Sequence, residues 1–175
     1  LYQSHSGERG IFNREAAVKQ AAKNGRRDAN QEFGTNPCSE IILRPYQFCN
    51  LSEVVVREGD NIYDLERKVR LASILGTYQS TMTHFPYLRK IWQRNTEEER
   101  LLGVSLTGIL DNKMLGDNNE QLKTLLERLK MVSVDECIQL STDLHIPCHS
   151  AVTCVKHSGT VSQLVNSARG IHPRH

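Results

Sequence analysis

One apolar stripe constrains this chain more than any other feature. Between residues 118 and 144, Leu122, Leu125, Leu126, Leu129, Val132, Cys137, Leu140 and Leu144 recur at helical spacing. That pattern predicts a long amphipathic helix with one face to bury. A second stripe, Ile62, Leu65, Val69, Ala72 and Leu75, predicts another helix over 60–79. Both helices need an apolar surface to lie on. Segments 40–43 and 48–57 carry β-branched and apolar residues and read as extended, broken by Pro45. Residues 151–156 read as a short strand, 157–160 as a turn, and 161–168 as a short helix ending at Gly170. Strand, small-residue turn and helix in succession is an α/β signature.

The remaining stretches are less regular. Asn13 is placed to cap a short helix over 14–23, with Gly25 as its stop. Pro86 forbids one unbroken helix through Arg94, and Thr96 to Glu99 resembles a helix start with its acids near the positive dipole end. Gly103 and Gly108 weaken any regular assignment for 101–110. The charge runs 96–100 and 120–130 read as solvated helix faces. Trp92 and Tyr87 read as packing residues rather than a base-stacking platform. No repeat or linker divides the 175 residues, so they are read as one domain over 1–175.

Composition narrows the function classes. Hydrophobic residues make up 38% and charged residues 24%, which excludes wholesale disorder. Apolar runs such as Val54-Val55-Val56 are far too short for a membrane helix. A net charge of +2 gives no reason to expect direct nucleic-acid binding. Five cysteines, an odd number, argue against a secreted disulfide scaffold. The first twenty residues hold no apolar core of a signal peptide, so a reducing cytoplasm is expected. The chain starts at Leu1 without an initiator Met, so an internal piece of a longer polypeptide is expected.

The chemistry concentrates in Asn36-Pro37-Cys38-Ser39-Glu40. Pro37 pushes Asn36 towards an extended conformation, and in an extended segment Asn36, Cys38 and Glu40 share one face. A carboxylate two residues from a thiol disfavours the thiolate. The site therefore suits a thiol that stays protonated and gives up a hydrogen atom. The same triplet also reads as a plain turn with a buried Cys and a surface Glu. Cys49 follows Cys38 by 11 residues, neither a redox nor a zinc-knuckle spacing. A chain reversal at Pro45 returns it beside Cys38; otherwise it is a small buried hydrophobe. Ser158, Gly159, Thr160 and Ser162 stand between strand and helix, where amides and hydroxyls can cradle phosphate or simply cap a helix. His145, Cys148, His149, Cys154 and His157 are zinc-ligand types, but their spacing fits no standard site.

These residues resemble the active-site segment of ribonucleotide reductases. The likeness rests on Asn36 to Glu40 and on Phe48-Cys49-Asn50-Leu51-Ser52-Glu53-Val54. Pro37 after Asn36 is similar to the class II, adenosylcobalamin-dependent branch. Ser6-Gly7-Glu8, Gly10 to Ala16, Leu75 to Thr81 and Ser158 to Val165 also resemble that branch, nearest to its monomeric ribonucleoside-triphosphate reductases. The likeness runs the length of the chain and is weakest between Asp111 and His149. The resemblance implies a ten-stranded α/β barrel with a central finger loop, of which this chain is a part. It implies that Cys38 carries a thiyl radical, Glu40 is the general base for the 3′ hydroxyl, and Asn36 positions the substrate. It makes Cys49 one of two reducing thiols, the other lying upstream, with thioredoxin or a similar dithiol as reductant. It gives Ser158, Gly159, Thr160 and Ser162 to the nucleotide phosphates. The chain departs from the family pattern at His157, where Pro is usual, and at Asn166 and Arg169. The competing readings are a non-catalytic Cys/His metal module over 145–157, and a reductase barrel with a diphosphate substrate or another radical source.

Overall fold

A computed structural model describes residues 10–117, 120–156 and 158–174. Ser6, Gly7, Glu8, Asn118, His157 and His175 lie outside the described residues. In chain order the elements are α1 (Arg14–Ala22), β1 (Gly34–Thr35), β2 (Ile42–Leu43), β3 (Asn50–Val55), α2 (Ile62–Ser80) and α3 (Lys90–Glu99). There follow β4 (Leu102–Thr107), a 3-10 turn (Ile109–Asp111), α4 (Lys113–Gly116), α5 (Glu120–Asp143) and α6 (Val161–Leu164).

β3 and β4 pair in parallel, from Asn50 opposite Leu102 to Val55 opposite Thr107. On its other edge β4 takes one further parallel bridge, Val104 to Thr153. Its Leu102 and Val104 amides donate to the Ala151 and Val152 carbonyls, and the Cys154 amide donates back to Val104. The predicted strand over 151–156 is thus reduced to a single bridge. The predicted weakness of 101–110 is reversed, because β4 is the central strand. Gly103 belongs there for a steric reason: a Cβ would stand 2.4 Å from Leu51 Cδ2 and 3.0 Å from Cys154 Sγ. Gly108 ends the strand at φ +74°.

One sheet face carries Val54, Leu102, Val104 and Val152, all buried against α2 and α5. Both apolar stripes face this core, with Ile62, Leu122, Leu125 and Val132 partly buried against it, but small polar residues share the contact. On α5 the buried residues are Leu129, Ser133, Cys137 and Ser141, while Leu126 is 42% exposed. On α2, Leu65, Val69 and Ala72 are buried as expected, but Leu75 is exposed and Ser73, Gly76 and Thr77 are buried. Small side chains let the two helices approach closely, and the Ser73 and Ser133 hydroxyls meet at 2.7 Å. The Asn61 side chain caps α2, and Asp64 completes a capping box.

Residues 96–99 end a helix rather than begin one. Arg100 takes a left-handed conformation and stops α3. Nor are they a solvated face, since Thr96, Glu99 and Arg100 are buried. Glu99 turns inward to a two-pronged pairing with Arg27, at 3.0 and 2.8 Å. Trp92 packs on Phe48 and Tyr46 as expected, whereas Tyr87 is 97% exposed. The helix expected over 161–168 stops after one turn, because Asn166 is left-handed and Ala168 is tied to Thr107, Gly108 and Asp111. Among the described residues no helix is long and apolar enough to cross a membrane.

Candidate active site

β1 and β2 form an antiparallel hairpin, Gly34 opposite Leu43 and Thr35 opposite Ile42. Residues 36–41 are its loop. The loop is a turn, not the extended segment that sequence reasoning expects. The Ser39 amide donates to the Asn36 carbonyl at 3.0 Å, and Ser39 takes φ +63°. The Asn36 side-chain oxygen accepts from the Ile41 amide at 3.0 Å and staples the loop shut. The turn reading has the right backbone but the wrong exposures. Cys38 stands exposed at the tip, while the Glu40 side chain is only 3% exposed.

Glu40 is buried because it has a partner that sequence reasoning missed. The Lys156 ammonium donates to Glu40 Oε1 at 2.6 Å. The other oxygen, Oε2, is buried with no hydrogen-bond partner. Burial alone would raise the Glu40 carboxyl; hydrogen bonds from Lys156 and Asn36 outweigh it and hold the group below its ordinary value. The hydrogen bond to Glu40 raises Lys156 in turn, with smaller contributions from the Cys38 thiol.

Three cysteines surround this pair. Burial pushes the Cys49 thiol up, and the Glu40 charge adds to it. Cys154 is pushed up to about 12, first by burial and then by Glu40 and Cys49. Cys49 and Cys154 are thereby kept protonated at neutral pH. Cys49 and Cys154 flank opposite edges of β4, two strand spacings or roughly 10 Å apart laterally. That exceeds the ~7 Å Cα limit for a disulfide without backbone movement. All five cysteines are free.

The sheet face towards the hairpin is polar. Glu53 lies directly opposite Ser105, and both Glu53 Oε1 and Ser105 Oγ are buried without partners. Buried polar atoms are normally satisfied, so three orphaned oxygens here, with Glu40 Oε2, mark a face built to meet further hydrogen-bond donors. A cavity of about 140 Å³ opens against Glu40, with Arg26, Lys130 and Ser150 in its lining. Alternation could have found Glu53, which shares a face with Cys49 and Leu51 in an extended strand. No local signal could have found Lys156, which is 116 residues from Glu40.

Residues 158–160 form a turn ahead of α6. Gly159 is left-handed and Ser158 Oγ is buried without a partner, but the Ser162 hydroxyl donates to the Gly159 carbonyl at 2.9 Å. His157 lies outside the described residues. Among the described residues the Cys/His cluster does not converge. The His149 ring sits between the Ser80 and Ser141 hydroxyls, each 3.2 Å from one ring nitrogen, while His145 and Cys148 are exposed. Among the described residues no group of three or more His, Cys, Asp or Glu side chains is placed to hold a metal.

Comparison with known proteins places this arrangement. No protein-family model matches the chain. By fold it is similar to the crystal structure of a B-12-dependent (class II) ribonucleotide reductase, with a TM-score of 0.67 and 25% identity over 83% of this chain and 23% of that one. In sequence it is similar to the adenosylcobalamin-dependent ribonucleoside-triphosphate reductase of Lactobacillus gasseri, 29% identical over 96% of this chain and 26% of the relative. The enzyme of that name from Euglena gracilis is 29% identical over 85% of this chain and 20% of its own length. The putative one of Mycobacterium phage D29 is 30% identical over 83% and 22%. The chain spans about a quarter of the length of the curated relatives it matches.

Proposed function

We propose that this chain is part of the catalytic α/β barrel of an adenosylcobalamin-dependent reductase that converts ribonucleoside triphosphates to 2′-deoxyribonucleotides. The observation that carries this reading is the gathering of Cys38 and Cys49 around the Glu40–Lys156 ion pair, in a chain similar to such reductases over most of its length.

Bound adenosylcobalamin supplies an organic radical able to take a hydrogen atom from a thiol. Cys38 fits that supply: it is exposed at a hairpin tip, reachable from outside the described residues. No side chain of the chain is assigned as a cobalt ligand. Cys38, as a thiyl radical, removes the 3′ hydrogen of the ribose. Glu40, ionised at neutral pH, accepts the 3′ hydroxyl proton through its free Oε2. Asn36 holds the loop closed and offers its amide nitrogen to the substrate. Water leaves from C2′. Cys49 and a second thiol from upstream supply two hydrogens and end as a disulfide, which thioredoxin or a similar dithiol reduces by exchange. Cys38 returns the 3′ hydrogen atom and Glu40 returns the proton to the 3′ oxygen, which restores both groups for the next turnover. Ser158, Gly159 and Thr160 take the phosphates, and Ser162 shapes their turn through its bond to Gly159.

In the full-length protein, Cys38→Ser is expected to abolish nucleotide reduction while leaving the unfolding midpoint unchanged. Retained turnover in a folded Cys38→Ser protein removes the proposal. Cys49→Ser is expected to retain substrate-dependent loss of the 3′ hydrogen, read by tritium release, and to lose multiple turnover.

A further inference from the structure

We propose that Lys156 is a positioning residue for Glu40: it ties down one carboxylate oxygen, leaves the other free to take a proton, and does so beside the Cys38 thiol. The inference rests on the reductase reading for what Glu40 does, and on geometry alone for how it is held.

The geometry is specific. Of the two carboxylate oxygens Lys156 Nζ contacts Oε1, at 2.6 Å, while Oε2 is buried without a hydrogen-bond partner. A carboxylate that is 97% covered and half-paired is costly unless its free oxygen meets a donor when ligand binds. The cation also comes from a separate element. Lys156 lies three residues beyond the Thr153 bridge to β4, so the sheet holds it while the hairpin holds Glu40. The pair thereby ties the hairpin loop that carries Cys38 to the segment bridged to the central strand. Arginine could not do this the same way, since its planar fork favours both carboxylate oxygens at once.

The charges around Glu40 come from every side. Cys38 belongs to its own loop, Cys49 and Glu53 to the β3 segment, and Cys154 and Lys156 to the segment beyond β4. Arg26, Arg27 and Lys130 line the cavity on the α1 and α5 side, with Arg27 already engaged by Glu99. Lys156 is the cation in direct contact and the largest influence opposing burial, so its removal leaves only the weaker Asn36 and backbone hydrogen bonds against it.

The test uses the full-length protein with Lys156→Met and Lys156→Gln, read by infrared titration of the Glu40 carboxyl, whose band is identified by its absence in Glu40→Gln. Both neutral variants are expected to move that titration up by ~1 pH unit or more. In the reductase assay, kcat is expected to fall ~10–100-fold with the acid limb of the pH profile displaced upwards and KM for nucleotide nearly unchanged. Lys156→Arg is expected to restore the titration but only part of kcat, because it occupies both oxygens. An unshifted carboxyl titration in a folded neutral variant overturns the inference, as does full kcat in that variant. Wild-type protein without any reductase activity overturns the functional reading instead, while a shifted titration still upholds the clamp.

Discussion

Ser39 holds the clearest residue-scale tension in the molecule. It lies between the thiol and the carboxylate and takes φ +63°, a region that costs an L-residue about 1–2 kcal/mol. The strain is compensated locally by the Asn36 staple and at a distance by the Glu40–Lys156 pair. Glycine accepts this backbone and a β-branched residue resists it. Ser39→Gly is therefore expected to equal or exceed the parent in its urea midpoint, and Ser39→Val to fall about 1–2 kcal/mol below it. Equal stability of the Ser and Val proteins contradicts this account. The sequence singled out Asn36, Cys38, Glu40 and Cys49 by a short motif, and the structure brings them together around Lys156. Their geometry was not legible in it. Pro37 does restrict its neighbour, but the loop is decided by hydrogen bonds from Ile41 and Ser39 that a face-counting argument does not see. Lys156 was illegible for a plainer reason: its partner is contributed by tertiary structure alone.

At the scale of elements, caps were readable and the central strand was not. Asn13 accepts from the Ala16 amide at 3.0 Å, as the sequence rule for N-caps expects. β4 was hidden because Gly103 within it and Gly108 just after it look like breakers. They serve opposite purposes. Gly103 makes room for side chains, since the nearest atoms to a new Cβ are Leu51 Cδ2, Cys154 Sγ and Ile41 Cδ1. Gly108 serves the backbone, with φ +74° and the Val56 carbonyl oxygen 2.6 Å from a new Cβ. Gly103→Ala is expected to cost about 1 kcal/mol, largely recovered in a double variant with Leu51→Ala. Gly108→Ala is expected to cost about 2–3 kcal/mol, and no side-chain truncation relieves it. Denaturation of the single and double variants checks both. Recovery of Gly108→Ala by trimming a neighbouring side chain, such as Ser167, contradicts the distinction. The buried lines of α2 and α5 carry the same lesson. A Leu count favours Leu75 and Leu126, but close helix contact also buries Ser73, Thr77, Ser133 and Ser141, small polar residues that the apolar pattern ignores.

At the scale of the whole molecule, one histidine couples three segments to pH. His149 is 2% exposed and joins Ser80 at the end of α2 to Ser141 near the end of α5. Burial, then the positive charges of Arg100 and Arg26, lower it from 6.5 to about 4. The folded state therefore keeps this ring neutral where an unfolded chain already protonates it. Between those two values the unfolded state binds the extra proton, so stability falls as pH drops. The difference corresponds to about 3 kcal/mol, fully present above pH 6.5 and lost by about pH 4. Carboxylates such as Glu40 and Asp111, held below their ordinary values, contribute a loss of the same sign at lower pH, as they become protonated. The two contributions separate on the pH axis, because the histidine loss begins where the carboxylates are still fully ionised. Urea unfolding of the full-length protein between pH 7 and 4.5 is expected to show a steep fall. In His149→Gln, which keeps hydrogen-bonding atoms but has no proton to bind, that fall is expected to flatten above pH 5. A slope unchanged by the substitution means that His149 is not what ties α2 to α5 in acid, and that the pH dependence in this range arises at another group.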